Sequence, residues 1–162
     1  MPIALKYLHV LVALGYVSGL VGRHVALEMA ARAGTMERVE ALLSVSSPCE
    51  KYLVIPGSMA VLIFGIATAW AQGLPVLGFL QGGHINWVLA ALILYLLQLP
   101  LIPLVFIPRG KQFETAMTDS TLSGKPLPAL RAAFKDPLVQ ASRAYEIAVV
   151  FALVFLMVAR PF

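Results

Sequence analysis

The sequence predicts an all-α, polytopic membrane protein: a bundle of four transmembrane helices with a short interfacial helix after the first. Three observations carry this. Of the 162 residues, 60% are hydrophobic. Only 12% are Asp, Glu, Lys or Arg, about half the share of a soluble domain, and a soluble chain of this length cannot bury so much apolar surface in one core. The apolar residues also fall into four runs, each near the roughly 20 residues a helix needs to cross about 30 Å of hydrocarbon. We read residues 1–162 as a single domain with spans at about 5–30, 50–71, 85–107 and 140–160.

The first run, Tyr7 to Gly22, is short, but Lys6 and Arg23 bracket it and can extend it by snorkelling. A cleaved signal is the rival reading, with Ala30 and Ala31 as small residues downstream. Charge opposes it, because one lysine precedes the run whereas Arg23, Arg32 and Arg38 follow. Gly34 and Thr35 then read as a helix stop and an N-cap. Met36, Val39, Leu42 and Leu43 recur at helical spacing opposite Glu37, Arg38 and Glu40, which gives the interfacial helix. The second run, Tyr52 to Ala71, has full length, with Pro56 in its first turns. A Gly/Pro turn from Gln72 to Gly83 leads to the third, Ile85 to Ile107, in which Pro100 and Pro103 predict a bend. From Arg109 to Pro137 the chain is polar and broken by Gly124, Pro126 and Pro128. It reads as a surface loop with a short helix through Leu130 to Lys135. The last run, Ala144 to Ala159, closes at Arg160 and Pro161.

The net charge of +4 does not indicate nucleic acid, since no basic run lies beside an aromatic stacking platform. The basic residues sort by segment instead. Lys6 precedes helix one. Arg23, Arg32, Arg38 and Lys51 lie between helices one and two, and none lies between two and three. Arg109, Lys111, Lys125, Arg131, Lys135 and Arg143 precede helix four, and Arg160 follows it. The positive-inside rule puts both basic connections in the cytoplasm and both termini outside, as expected of a bacterial inner-membrane protein. The lone Cys49 excludes an intrachain disulfide framework and reads as a small filler. No GxSxG elbow, phosphate-binding loop, HExxH or paired-carboxylate motif occurs.

Polar groups inside spans are the functional candidates. His9, Tyr16 and Arg23, seven apart, fall within about 40° on one face of helix one, with Gly15, Gly19 and Gly22 on the adjoining arc. Val10, Leu14, Val17 and Val21 occupy the opposite side. Gly15 and Gly19 make a GxxxG spacing, and Gly65 and Ala69 are small residues of helix two that permit close helix contact. His9 can ligate a metal or haem iron as a neutral imidazole. His24 lies about 22 Å further along the same helix, which leaves His84 as its geometrically feasible partner. Arg23, Glu28, Glu50, Lys51, Arg143 and Glu146 gather near the cytoplasmic interface, and of these Glu146 needs a counter-charge. Arg143 at i−3 and Arg23 across the bundle are available, which predicts a structural ion pair joining helices one and four.

The segments LKYLHVLVALGYVSGLVGRH, MERVEALL, IPGSMAVLIFGIATAW, INWVLAALILYLLQ and LMVARP together resemble an uncharacterised bacterial family of four-helix integral membrane proteins. More distantly, the helix-one histidine, Arg23 downstream of it and Met36-Glu37-Arg38 are similar to the HemJ-type protoporphyrinogen oxidases, and the layout to the copper-resistance D membrane proteins. That likeness implies a haem b site with His9 as ligand and Arg23 beside it. It ends at helix three, where Val88 and Leu89 stand in place of that family's intramembrane lysine, so it implies haem without the oxidase chemistry. Three functions are consistent with these residues. One is a non-catalytic membrane component that associates with itself or another membrane protein through its small-residue faces. The others are a haem b or redox protein using His9, and a small proton or solute carrier using Glu146 and Arg23.

Overall fold

The computed structural model describes residues 2–78 and 86–161, and all regular structure among them is helical. Helix α1 spans Pro2–Ala31, α2 Met36–Pro48, α3 Ile55–Ala71, α4 Trp87–Gln98, α5 Ile107–Ser123, α6 Pro128–Phe134 and α7 Pro137–Ala159. Wide π-helical turns at Cys49–Val54 and Ile102–Phe106 fuse α2 to α3 and α4 to α5. Four helical rods result, at 3–31, 36–71, 87–123 and 128–159, each long and apolar enough to cross a membrane. The protein is therefore an all-α, four-helix, multi-pass membrane protein.

The interfacial helix does form, with Met36 and Val39 buried, but it runs without a break into the second span. Proline explains the join. Pro56 has no N–H to donate and its ring crowds the carbonyl four residues back. Widening the preceding turn relieves this, and the Ile55 N–H donates to the Glu50 carbonyl, five residues back. A second widened turn lies at Pro100 and Pro103, where the bend is expected: Ile107 N–H donates to the Ile102 carbonyl, five residues back, while Leu104 N–H makes an ordinary four-residue bond to the Pro100 carbonyl at 3.1 Å.

The stretch expected as a loop after Arg109 is helical as far as Ser123. Its polar residues are one face of a helix: Lys111, Glu114 and Thr118 are exposed, whereas Ala116 and Ser120 are buried. Gly124 ends it in the left-handed region, φ 68°. Asp136 caps α7, accepting from Leu138 N at 2.9 Å and Val139 N at 3.2 Å. Thr35 stands at the start of α2 with extended backbone and no side-chain cap.

Two apolar clusters organise the bundle. Ala30, Met36, Val39, Ala116, Leu130 and Phe134 pack where α1, α2, α5 and α6 converge, with Phe113 edge-on to Phe134 at 5.0 Å. At 30 residues and about 1.5 Å per residue, α1 is longer than the hydrocarbon is thick, and this cluster sits on its end. Tyr16, Leu20, Val54 and Val150 form the second cluster further into the span. Helix α1 lies along α2 and α3, and α4 lies along α7. Val10, Leu14 and Val21 of α1 are about half exposed, as expected of the apolar stripe, whereas Val17 of that stripe packs against the second cluster; His9, Tyr16 and Arg23 turn inward.

Candidate functional site

Arg23 is 6% exposed and sits at the basic end of the bundle, the end that carries the Lys/Arg-rich connections. Its NH1 donates to Glu50 Oε2 at 2.8 Å and its NH2 to Glu146 Oε2 at 2.6 Å. One guanidinium thus ties α1 to the π turn after α2 and to α7. The expected partner Arg143 is half-buried and makes no ion pair among the described residues. Glu50 belongs to the charged cluster expected at this end, but its pairing with Arg23 is not readable from its local pattern. The π turn sets the register that presents it to α1. Arg109 makes a further bridge at this end, to Asp136 Oδ2 at 2.9 Å.

The small residues of α1 and α3 are spent inside the chain. A Cβ at Gly19 would collide with the Leu53 Cβ, one at Gly22 would stand 3.3 Å from Cys49 Sγ, and one at Gly65 would stand 3.2 Å from the His9 ring. Ala69 is buried. Gly15 alone of these five faces open space. Cys49 is a free thiol filling the gap beside Gly22.

His9 lies at the other end, 8% exposed, with its ring clasped between α1 and α3. It walls a cavity of about 330 Å³ between α1, α3, α4 and α7. The lining is apolar except for a few groups. Thr68 and Tyr95 stand in the wall, and Lys6, Gln72 and Arg160 also line it. Tyr95 Oη donates to the Ser58 carbonyl at 2.9 Å, tying α4 to α3. Arg160, left-handed at φ 45°, ends α7 with its guanidinium 5.4 Å from the Trp87 ring. Two buried polar atoms of wall residues, His9 Nδ1 and Thr68 Oγ1, make no well-aligned hydrogen bond among the described residues, and the His9 ring lies within reach of the Val61 backbone. Both residues are polar points on a largely apolar wall.

The packing of His9 does not establish a haem ligand. The edge of the His9 ring between its two nitrogens faces the Gly65 backbone, with ring atoms 3.2 to 4.0 Å from where a Cβ would stand. Nor do His, Cys, Asp and Glu side chains form a group of three with metal-binding geometry among the described residues. His84 lies outside the described residues, as does the Gly82-Gly83 turn before it. Thr68 and Tyr95 carried no sequence signal of their own, since a single hydroxyl in an apolar run is ordinary.

The family model described as "Predicted integral membrane protein (DUF2269)" matches residues 3–161. No curated protein matches. No solved structure matches either, and the similarity to the HemJ-type and copper-resistance D proteins gains no support from these comparisons.

Proposed function

The chain belongs to the DUF2269 family of predicted integral membrane proteins, and from that premise we propose that it is a non-catalytic membrane component that binds a small apolar molecule in the cavity beside His9. The observation that carries this is the apolar cavity itself, with His9 and Thr68 among the few polar residues of its wall. Apolar lining with a few fixed polar groups is the usual chemistry of a small-ligand site, and about 330 Å³ is at the lower end of the usual range. The Thr68 hydroxyl both donates and accepts, and the ligand class we take is a ring-sized apolar molecule whose carbonyl would accept from it.

Orientation follows from charge. The two basic connections lie in the cytoplasm of a bacterial cell, and both termini and the cavity belong to the outer half of the inner membrane. Glu146 serves as a tie in this reading and not as a proton carrier, because Arg23 already holds it at 2.6 Å. Contact with a second copy or another membrane protein would use the Gly15 face of α1, which is open.

Trp87 lines the cavity and is the natural reporter. In a Trp70→Phe background, 2-methyl-1,4-naphthoquinone should quench Trp87 fluorescence saturably, with affinity about tenfold weaker in Thr68→Val or His9→Ala, the loss expected of one buried hydrogen bond. Quenching that is linear in quinone and identical in all three proteins would sink the reading. A Soret band in the purified protein that vanishes on His9→Ala would replace it with haem.

A further inference from the structure

We propose that the cleft at the basic end of the bundle, remote from His9 and independent of the reading above, is a site for the phosphate headgroup of an anionic phospholipid. The cleft is about 380 Å³ and lies where α1, α2, α5, α6 and α7 meet. Arg143, Arg109 and Lys51 line it, together with the hydroxyl-bearing Ser46 and Ser47. Glu50 lines it too, but its carboxylate is already taken by Arg23.

The charge balance around this cleft is the argument. Glu146 is also held by Arg23, and Glu28 lies 3.5 Å from Arg32. Asp136 is occupied on both oxygens, by the α7 backbone and by Arg109. Arg143 and Lys51 make no ion pair of their own among the described residues, and the carboxylates nearest Arg143, those of Glu146, Glu50 and Glu28, each bridge to another arginine. A half-buried guanidinium that touches no carboxylate and lies near a second arginine, Arg23, is costly. A phosphate presents the geometry that a guanidinium fork recognises.

The surroundings select a lipid as the source of that phosphate. Leu27, Leu43, Phe106 and Phe113 continue the lining beside the cations, so one molecule with a phosphate and an apolar stem satisfies both parts of the wall. The level is also right. The cleft is bounded by the ends of the spans, where Arg23 marks the limit of the apolar stripe of α1 and α5 turns its polar face to solvent. Basic pockets between transmembrane helices at this depth are the recognised setting for anionic headgroups.

The test uses full-length protein in mild detergent, offered phosphatidylglycerol or phosphatidylcholine, with lipid adducts counted by native mass spectrometry. Wild type should retain phosphatidylglycerol in preference. Arg143→Gln and Lys51→Gln should each weaken retention roughly fivefold, and about thirtyfold together, whereas Arg143→Lys keeps most of it. Millimolar inorganic phosphate is the third arm: if it displaces phosphatidylglycerol, the cleft is a free-anion site and the lipid assignment fails. Equal retention of both lipids, or no loss in the double variant, overturns the proposal. Should Arg143→Gln not purify, Lys51→Gln against Lys51→Arg decides it, since only loss of charge should weaken retention.

Discussion

Replacing Arg23 by leucine removes the one group that ties α1 to both Glu50 and Glu146. The two losses differ in size. Glu50 is 43% exposed, so its bridge is screened and worth less than about 1 kcal/mol. Glu146 is 13% exposed, and leaving it charged and unpaired should cost about 3 to 5 kcal/mol, as for other buried pairs broken on one side. An ordinary interhelical hydrogen bond in a membrane is worth only about 0.6 kcal/mol, so the two accounts are distinguishable. The double variant Arg23→Leu with Glu146→Leu removes the orphaned charge and should recover most of the loss, leaving about 1 kcal/mol from Glu50. Unfolding of the purified protein in mixed detergent and SDS, followed by helical circular dichroism, measures all three proteins against wild type. If the single variant loses no more than an ordinary hydrogen bond, or the double variant is as unstable as the single, Arg23 is not what holds α1 to α7.

Other substitutions probe the remaining contacts. Gly19→Ala drives a methyl into Leu53 and should cost about 1 to 3 kcal/mol by the same SDS titration, whereas Gly15→Ala meets open space and should stabilise by up to about 1 kcal/mol through helix propensity. Equal effects at the two glycines would contradict the α1–α3 packing. Ser120 is fully buried, donates to the Ala116 carbonyl at 2.8 Å and accepts from Leu127 N at 3.2 Å. Ser120→Ala should cost about 1 to 3 kcal/mol, and faster amide exchange at Leu127 would locate the loss. Tyr95→Phe removes the bond to the Ser58 carbonyl and should cost about 1 kcal/mol, so a thermal midpoint unchanged from wild type would argue against that link between α4 and α3.

Four spans, their medium, and the division of α1 into a polar and a lipid-facing side are set by the sequence alone. Hydrophobic length is a property of consecutive residues, and a helix fixes which residues share a face whatever it packs against. The positions of His9, Tyr16 and Arg23 seven apart decide that they point the same way before any neighbour is known. The extent of α2 and α5 was less legible, because the polar, proline-containing stretches that usually mark loops are here absorbed by π turns and by a face turned to solvent. Which groups meet could be decided only by the tertiary packing. Arg23 lies 27 residues from Glu50 and 123 from Glu146, and it takes both, leaving Arg143 unpaired. The rotation of each helix about its own axis settles this, as it settles that Gly19 and Gly65 receive Leu53 and His9 and not another protein. That rotation comes from the fit of side chains across helices, a two-body property that no single stretch of chain encodes.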